Sequence, residues 1–387
     1  MNRKLFYIIS MLIVSSMVLA ACGGGAATSD APAATEEMSA ATEEVAAATE
    51  EVVAAPEAPG ETEGPAPAQS GEDTLAKVQG LGVLNCGVSG SLLAFSYVDA
   101  NGNMAGFDAD YCRAVAAAVL SDATAVEFRS TNASERFPVL QSGEIDVLSR
   151  NTTWTVSRDT SLGFNFVPTT FYDGQGMLVR KDSGIATLED LAGGTVCVNA
   201  GTTTEKNLAD VFRTRGIDYE PVVFAETNDV LLAYDEGRCD GWTTDKSGLI
   251  ANSQLLTNPE DHQILEETMS KEPLGPLVRH GDDNWFDIVK WTVNCTFQAE
   301  EKGVDSTNVD DMLGSDDPEI LNLLGVEGDL GQAMGLNNDF CYQVIKQVGN
   351  YEEIYNRHLG PDTVYNVPRG LNSLWTDGGL LYSPPFR

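Results

Sequence analysis

Residues 201–205 (Gly-Thr-Thr-Thr-Glu) have the composition and setting of an anion-binding site. They follow a predicted strand at 195–198 and open a predicted helix at 205–215. The first N–H groups of a helix have no partner within it, and the positive end of the helix dipole lies beside them, so a carboxylate is attracted there. The same residues also fit an ordinary capping box, in which Thr202 and Glu205 satisfy the helix start. On residue types alone, both interpretations stay open.

Residues 19–22 (Leu-Ala-Ala-Cys) indicate a second kind of chemistry, the covalent attachment of lipid. They close an apolar stretch of about 15 residues after Arg3 and Lys4, which is typical of an export signal and too short for a transmembrane helix. The run resembles the lipobox of bacterial lipoproteins, which implies that residues 1–21 are a lipoprotein signal peptide. Cys22 would then carry a diacylglycerol, and its amino group a further acyl chain such as palmitate. The alternative is a plain secretory signal followed by a chance cysteine.

The segment after the predicted cleavage point is acidic and has no means of forming a core. Residues 23–73 contain neither an aromatic residue nor Lys or Arg, and repeat a Thr-Glu-Glu motif. Such a composition is typical of a disordered, self-repelling chain. We therefore predict that residues 22–73, with the lipid on Cys22, tether an extracytoplasmic protein to the membrane, on its periplasmic face or at the cell surface. The net charge of -35 excludes nucleic acid as a partner.

The other cysteines favour disulfides rather than metal binding. Six follow Cys22, namely Cys86, Cys112, Cys197, Cys239, Cys295 and Cys341. An even number in an exported chain favours disulfides, although six cysteines allow 15 connectivities and free thiols stay an alternative. None has CxxC spacing, and the three histidines are remote from them in sequence. We expect neither a metal site nor a cofactor.

The rest of the chain alternates β-rich runs with helical patterns, which is typical of an α/β protein with mostly parallel sheets. Strands are predicted at 83–88, 126–128, 145–148, 195–198, 221–224 and 239–242. Helices are predicted at 107–120, 136–140, 205–215 and 229–236. The alternating order occurs twice, so the sequence indicates two similar halves.

Five stretches carry a resemblance to a known family: residues 85–89, 141–155, 172–176, 270–276 and 325–331. From about residue 74 to 387 the chain resembles the solute-binding protein of a polar amino-acid ABC transporter (family 3 type), most closely the general L-amino-acid-binding branch. The resemblance implies an α/β fold of the two-lobed periplasmic-binding-protein type (type II), with discontinuous lobes joined by a two-crossing hinge. Lobe 1 would comprise residues 74–178 plus 275–387, and lobe 2 residues 179–274.

The resemblance also implies which residues bind the ligand's α-carboxylate. Arg158, five residues after Thr153, matches the family arginine that binds this group through two parallel hydrogen bonds. Thr153 would add its hydroxyl and backbone N–H. Thr203 and its neighbour Thr204 would approach from the second lobe, which favours the anion-site interpretation of the 201–205 turn.

The ammonium group and the side-chain pocket have their own candidates by the same resemblance. Asp245 would pair with the α-ammonium, and the backbone carbonyl of Asn151 would accept from it. The two aromatic residues that enclose the ligand's side chain in some relatives are replaced by Leu92 and Ala133, with Phe95 and Trp154 as nearby candidates. Small apolar walls predict broad selectivity across L-amino acids.

The lobes implied by the resemblance also suggest a disulfide pairing. Bridges from Cys86 to Cys112, Cys197 to Cys239 and Cys295 to Cys341 would each stay inside one lobe. Bridges between lobes would instead lock the hinge.

The expected function is capture of an L-amino acid and its delivery to ABC permease subunits, by a monomer that is not an enzyme. Two alternatives share the fold: a periplasmic dehydratase-like enzyme, which needs a catalytic acid or base in the cleft, and an amino-acid sensing module. A sensor normally continues into a transmembrane or signalling segment, and we find none in the sequence after residue 22.

Overall fold

The computed structural model describes residues 73–387. The predicted signal peptide, Cys22 and almost all of the predicted tether lie outside the described residues. Asp73 caps the first helix, with its carboxylate accepting from the backbone N–H of Ala76 at 2.9 Å. Within the described part of the chain, no helix is both long and apolar enough to cross a membrane.

Short strands and helices alternate along this region of the chain. The strands are β1 (Leu84–Val88), β2 (Ser91–Leu92), β3 (Ser96–Val98), β4 (Met104–Ala105), β5 (Val126–Ser130), β6 (Val147–Leu148), β7 (Phe164–Phe166), β8 (Phe171–Asp173), β9 (Gln175–Arg180), β10 (Thr195–Asn199), β11 (Glu220–Phe224), β12 (Gly241–Asp245), β13 (His262–Ile264), β14 (Glu272–Leu274) and β15 (Leu277–Arg279). The α-helices are α1 (Thr74–Leu81), α2 (Phe107–Leu120), α3 (Arg136–Gln141), α4 (Thr203–Arg215), α5 (Thr227–Asp235), α6 (Lys246–Ser253), α7 (Asp283–Glu301), α8 (Val309–Met312), α9 (Pro318–Leu323), α10 (Leu330–Ala333), α11 (Phe340–Gln347) and α12 (Tyr351–His358).

Two five-stranded sheets with the same pattern form the framework. The first has the order β5-β1-β6-β15-β7 and the second the order β11-β10-β12-β9-β13. In each sheet the first three strands are parallel, and the last two run antiparallel to their neighbours. The predicted parallel centres are present, and the antiparallel strands at one side of each sheet are an addition to the prediction. We call the residues packed around these sheets the first and the second lobe.

A small antiparallel sheet joins the lobes. It pairs β8 with β14, the two segments in which the chain passes between the five-stranded sheets. Because one segment leads out of the first sheet and the other returns to it, the first lobe is discontinuous in sequence. This is the predicted arrangement of discontinuous lobes joined by two crossings. The exact lobe boundaries stay predictions. The boundary proposed after residue 178 falls inside strand β9 of the second sheet.

Helix α2 shows how the sequence builds the first lobe. It has the predicted bounds, and Asp108 and Asp110 in its first turn favour the helix start through the dipole. It ends at Ser121, which adopts a left-handed conformation with φ of 56°. Its small alanine side chains are buried, which lets the helix pack closely against α7 and α11 on the first sheet.

The structure contains the predicted disulfides, with Cα atoms 5.5–6.0 Å apart: Cys86–Cys112, Cys197–Cys239 and Cys295–Cys341. The first joins β1 to α2, and the second joins β10 to the turn before β12. The third joins α7 to α11. Each bridge lies within one lobe, so none restrains movement of one lobe relative to the other.

The C-terminal part of the chain reaches the hinge. The Tyr351 hydroxyl donates to the Thr170 carbonyl at 2.8 Å, just before β8. The amide side chain of Asn372 accepts from the Tyr172 N–H at 2.6 Å and donates to the Tyr172 carbonyl at 3.1 Å. Strand β8 is therefore hydrogen-bonded to β14 and also to the C-terminal segment.

Candidate functional site

A cavity lies between the lobes, at the carboxyl ends of the parallel strands, where ligands bind in α/β proteins of this kind. About 670 Å³ of empty space lies inside it and at its opening to solvent. Both lobes supply its wall. The residues that line it include Leu92, Asn132, Ala133, Arg136, Arg150, Asn151, Thr153, Thr202, Thr203, Thr204, Glu226 and Asp245.

The lobes contact each other across the mouth of this cavity. The amide of Asn132, from the first lobe, donates to Glu226 of the second at 2.9 Å. Deeper in the cleft, the Asn151 amide donates to Asp245 at 3.2 Å. The described conformation therefore has the two lobes closed on one another.

The 201–205 turn combines the two interpretations left open by the sequence. The Thr202 hydroxyl accepts from the Glu205 N–H at 3.0 Å, and the Glu205 carboxylate accepts from the Gly201 N–H at 2.8 Å. These contacts cap the N-terminal end of α4. Thr203 and Thr204 line the cavity at the same helix start, which gives the wall a positive dipole end.

Thr153 and Thr203 meet across the cleft, and a buried carboxylate holds them together. Their hydroxyl oxygens lie 3.2 Å apart. Each donates to the same oxygen of Glu272 on hinge strand β14, Thr153 at 2.5 Å and Thr203 at 3.0 Å. The other oxygen accepts from the Asn207 amide at 2.9 Å and from the Ser270 hydroxyl. Glu272 is 1% exposed and links both lobes to the hinge.

Asp245 ends β12 and presents a buried carboxylate to the cavity. Burial, and then the neighbouring carboxylates of Asp173 and Glu272, raise the pKa of Asp245 well above its usual value. The Asn151 amide and the positive charge of Arg136 oppose that rise. A cation placed against Asp245 would lower its pKa again. Asp240, which directly precedes the same strand, accepts instead from the Thr195 N–H at 2.8 Å.

The structure places Arg158 beside the cavity but outside its lining. Arg158 lies in a π-helical turn, Ser157–Ser161, and donates from Nη1 to the Thr153 carbonyl at 2.7 Å. Its guanidinium carbon is 5.1 Å from the centre of the Phe137 ring. Burial lowers the pKa of Arg158 to about 10, and the carboxylates of Glu272 and Asp245 counteract this. Arg158 therefore supports Thr153 in this conformation, and its direct contact with a ligand stays a prediction.

Two other arginines, which were not among the candidates from sequence, line the cavity. Arg136 begins α3, and Arg150 follows β6. They are 2% and 7% exposed. Arg150 could have been found from sequence, because a polar residue directly after a buried parallel strand lies where ligands bind. Arg136 gives no such indication, since only the packing of α3 brings it to the cleft.

The predicted side-chain pocket is only partly formed by the predicted residues. Leu92 and Ala133 line the cavity. Phe95 does not, because its ring packs in the core of the first lobe, 5.3 Å from the Phe171 ring centre. Trp154 is half exposed and stacks on Phe166 with its indole N–H donating to Asp159 at 2.7 Å. The lining of the cavity in this conformation thus includes neither Phe95 nor Trp154.

The family model for bacterial extracellular solute-binding proteins, family 3, matches residues 84–309 of this chain. This is more than half of its length, and the chain belongs to that family. The predicted periplasmic-binding-protein fold and the predicted extracytoplasmic location are thereby confirmed. Its close relatives are solute-binding proteins and not enzymes, so the dehydratase-like alternative is set aside.

Individual relatives cover almost the whole folded region. AapJ, a general L-amino acid-binding periplasmic protein of Rhizobium johnstonii, is 54% identical over 316 residues, which cover 81% of this chain and 93% of that protein. BztA, a glutamate/glutamine/aspartate/asparagine-binding protein of Rhodobacter capsulatus, is 47% identical over 315 residues, which cover 81% and 93%. A periplasmic binding protein from Brucella ovis, solved with glutathione bound, is 49% identical with a TM-score of 0.80 and covers 82% of this chain and 100% of that one.

Proposed function

We propose that this protein binds free L-amino acids between its lobes and delivers them to an ABC permease, acting as a monomer. The observation that carries the proposal is Asp245, a buried carboxylate in the cavity wall with only the Asn151 amide as a hydrogen-bond partner in the described region. An α-ammonium would compensate that charge. The amino-acid ligands named for AapJ and BztA support the same class of solute.

Another part of the cavity wall suits the α-carboxylate. Thr203 and Thr204 lie at the positive end of α4, and Thr153 faces them from the first lobe. Arg158, hydrogen-bonded to the Thr153 carbonyl, would reach the carboxylate after a change of side-chain conformation. A zwitterion would thus be bound through its α-ammonium and its α-carboxylate, which all amino acids have. Leu92 and Ala133 leave space beside them, which favours several side chains rather than one.

A panel of the twenty L-amino acids tests this function. A ligand that binds only the folded protein raises its melting temperature, by an amount that grows with concentration over Kd. We expect several L-amino acids to stabilise the protein in thermal denaturation, and their D-enantiomers to have no effect. If none of the L-amino acids stabilises the protein at millimolar concentration, the proposal is wrong.

We further propose that lipid on Cys22 holds the mature protein at the membrane. The support is the Leu-Ala-Ala-Cys sequence after an apolar stretch. In fractionated cells, the wild-type protein should remain with the membranes, whereas a Cys22→Ser variant should be soluble or unprocessed. Uptake of labelled amino acid by the same cells reports delivery to the permease. Membrane retention of Cys22→Ser equal to that of the wild type would contradict the lipid anchor.

A further inference from the structure

The cavity wall carries more positive charge than the α-groups of an amino acid require. Arg136 and Arg150 are both buried in the first lobe, and the Nε atom of each has no hydrogen-bond partner in the described residues. Arg136 makes two long contacts from Nη1, to the Asn151 carbonyl at 3.4 Å and the Thr152 hydroxyl at 3.3 Å. Across residues 73–387, neither guanidinium lies within ion-pair distance of a carboxylate, and Arg150 has no hydrogen bond. Buried guanidinium groups without such partners are costly.

The neighbouring carboxylates do not remove this excess. Asp108 is the main counter-charge of Arg150, but burial raises the pKa of Asp108 to about 7, so its charge is incomplete near neutral pH. Asp245 acts on both arginines from a distance and is the proposed partner of the ammonium. Glu226, which also lines the cavity, acts on Arg150 from a distance and accepts from the Asn132 amide at 2.9 Å. Glu272 is already hydrogen-bonded to four other side chains.

The surroundings of the two arginines also favour binding of an anion. The Arg136 guanidinium lies over the Phe137 ring, 4.8 Å from its centre, which fixes the plane of the group. Burial and the nearby charge of Arg150 lower the pKa of Arg136, which indicates that the two groups repel one another. An anion bound to both guanidinium groups would relieve the repulsion and supply the counter-charge that neither has.

We propose that Arg136 and Arg150 form a second anion subsite, which takes a carboxylate that is not on the α-carbon of the ligand. That carboxylate has two possible sources: the side chain of a dicarboxylic L-amino acid such as glutamate, or the distal carboxylate of a γ-glutamyl peptide such as glutathione. The inference rests on the proposed function, because it assumes that the α-groups are bound at Asp245 and at the start of α4.

Titration calorimetry with matched ligands tests the subsite. L-Glutamate and L-glutamine have the same shape and differ in the charge of the side chain, so wild type should prefer glutamate by about 10- to 100-fold. Arg136→Met and Arg150→Met should each reduce the preference for glutamate over glutamine to roughly threefold or less. Arg213→Met, on the exposed face of α4, is the matched control and should leave both affinities unchanged.

A second pair of ligands identifies the source of the carboxylate. If the subsite takes the distal carboxylate of a peptide, glutathione should bind more tightly than its glycine ethyl ester, and Arg150→Met should abolish the difference. If it takes a side-chain carboxylate, glutamate alone should show the charge effect.

Several results would overturn the inference and leave the proposed function standing. One is equal wild-type affinity for each acid and its neutral partner. Another is equal weakening of glutamate and glutamine by Arg150→Met, which would place the arginines on the α-carboxylate. Circular dichroism melts of the variants exclude a folding defect as the cause. If no amino acid binds the wild type, the proposed function itself fails.

Discussion

Asp245→Asn should weaken the binding of every L-amino acid that the protein takes, by roughly 30- to 5,000-fold or about 2–5 kcal/mol. The substitution keeps the shape of the side chain and leaves the ligand's ammonium buried without a counter-charge. Leucine and 4-methylpentanoate, which lacks the amino group, should be compared by titration calorimetry. The loss of affinity for 4-methylpentanoate should be much smaller, because that ligand has no ammonium to pair with Asp245. The difference between the two losses isolates the contact between Asp245 and the ammonium.

Asp240→Asn is the matched control for this prediction. Asp240 lies just before the same strand but hydrogen-bonds Thr195, so its removal should leave the ligand affinities unchanged. Equal losses for leucine and 4-methylpentanoate in Asp245→Asn would remove Asp245 from the ammonium site.

The pH dependence of binding gives the same prediction a second readout. Because burial, Asp173 and Glu272 raise the pKa of Asp245 in the free protein, part of it is protonated as the pH falls. The ammonium pairs with the ionised form, so binding must release that proton. Affinity should therefore rise with pH through the raised pKa of Asp245, and this contribution should disappear in Asp245→Asn. Calorimetry in buffers of different ionisation enthalpy measures the protons released.

Glu272→Ala should strongly destabilise the protein. Its carboxylate is buried and accepts from Thr153, Thr203, Asn207 and Ser270, and it balances the charge of Arg158. Removing one partner from a buried charged network typically costs about 3–5 kcal/mol. The melting temperature should fall by roughly 5–10 °C in the absence of ligand.

Two variants make the measurement specific to the buried network. Glu272→Gln keeps the volume and one oxygen, so its melting temperature should lie between those of the wild type and Glu272→Ala. Glu144→Ala removes a half-exposed carboxylate of a surface ion pair and should change the melting temperature by no more than about 1–2 °C. A Glu272→Ala melt that coincides with that of Glu144→Ala would show that the network does not contribute to stability.

Local patterns in the sequence were sufficient for the parts of the fold that form within one stretch of chain. The helix predicted at 107–120 has those bounds, since its apolar periodicity and the acidic first turn are both local. The antiparallel strands were not predicted. β13 and β15 are only three residues long, and what makes them strands is pairing with distant partners, β9 for β13 and the strands β6 and β7 for β15.

The residues of the candidate site likewise divide into those that the sequence indicated and those that it did not. The resemblance predicted that Thr153, Thr203, Asn151 and Asp245 share one cleft, because each lies at a strand or helix end. In the structure, Thr153 meets Thr203 and Asn151 meets Asp245. It did not indicate Glu272, which lies on the hinge strand inside one of the family motifs and meets the site through hydrogen bonds to Thr153 and Thr203. Side-chain direction cannot be read from a motif, which is why Phe95 is a candidate from sequence although its ring packs in the core.

The contact between Asn372 and Tyr172 ties the C-terminal segment to one of the two crossings between the lobes. On the N-terminal crossing, the backbone of Tyr172 is fixed by Asn372, and Gln175 is already paired in the second sheet. Between them lie Asp173, whose backbone pairs with Glu272 on the other crossing, and Gly174, whose carbonyl accepts from the Lys246 N–H at 2.9 Å. A side chain at Gly174 would lie 2.4 Å from the Thr268 methyl group, so this position has room only for hydrogen. The end of the chain thereby holds one of the two crossings that join the lobes, although it contributes no residue to the cavity wall.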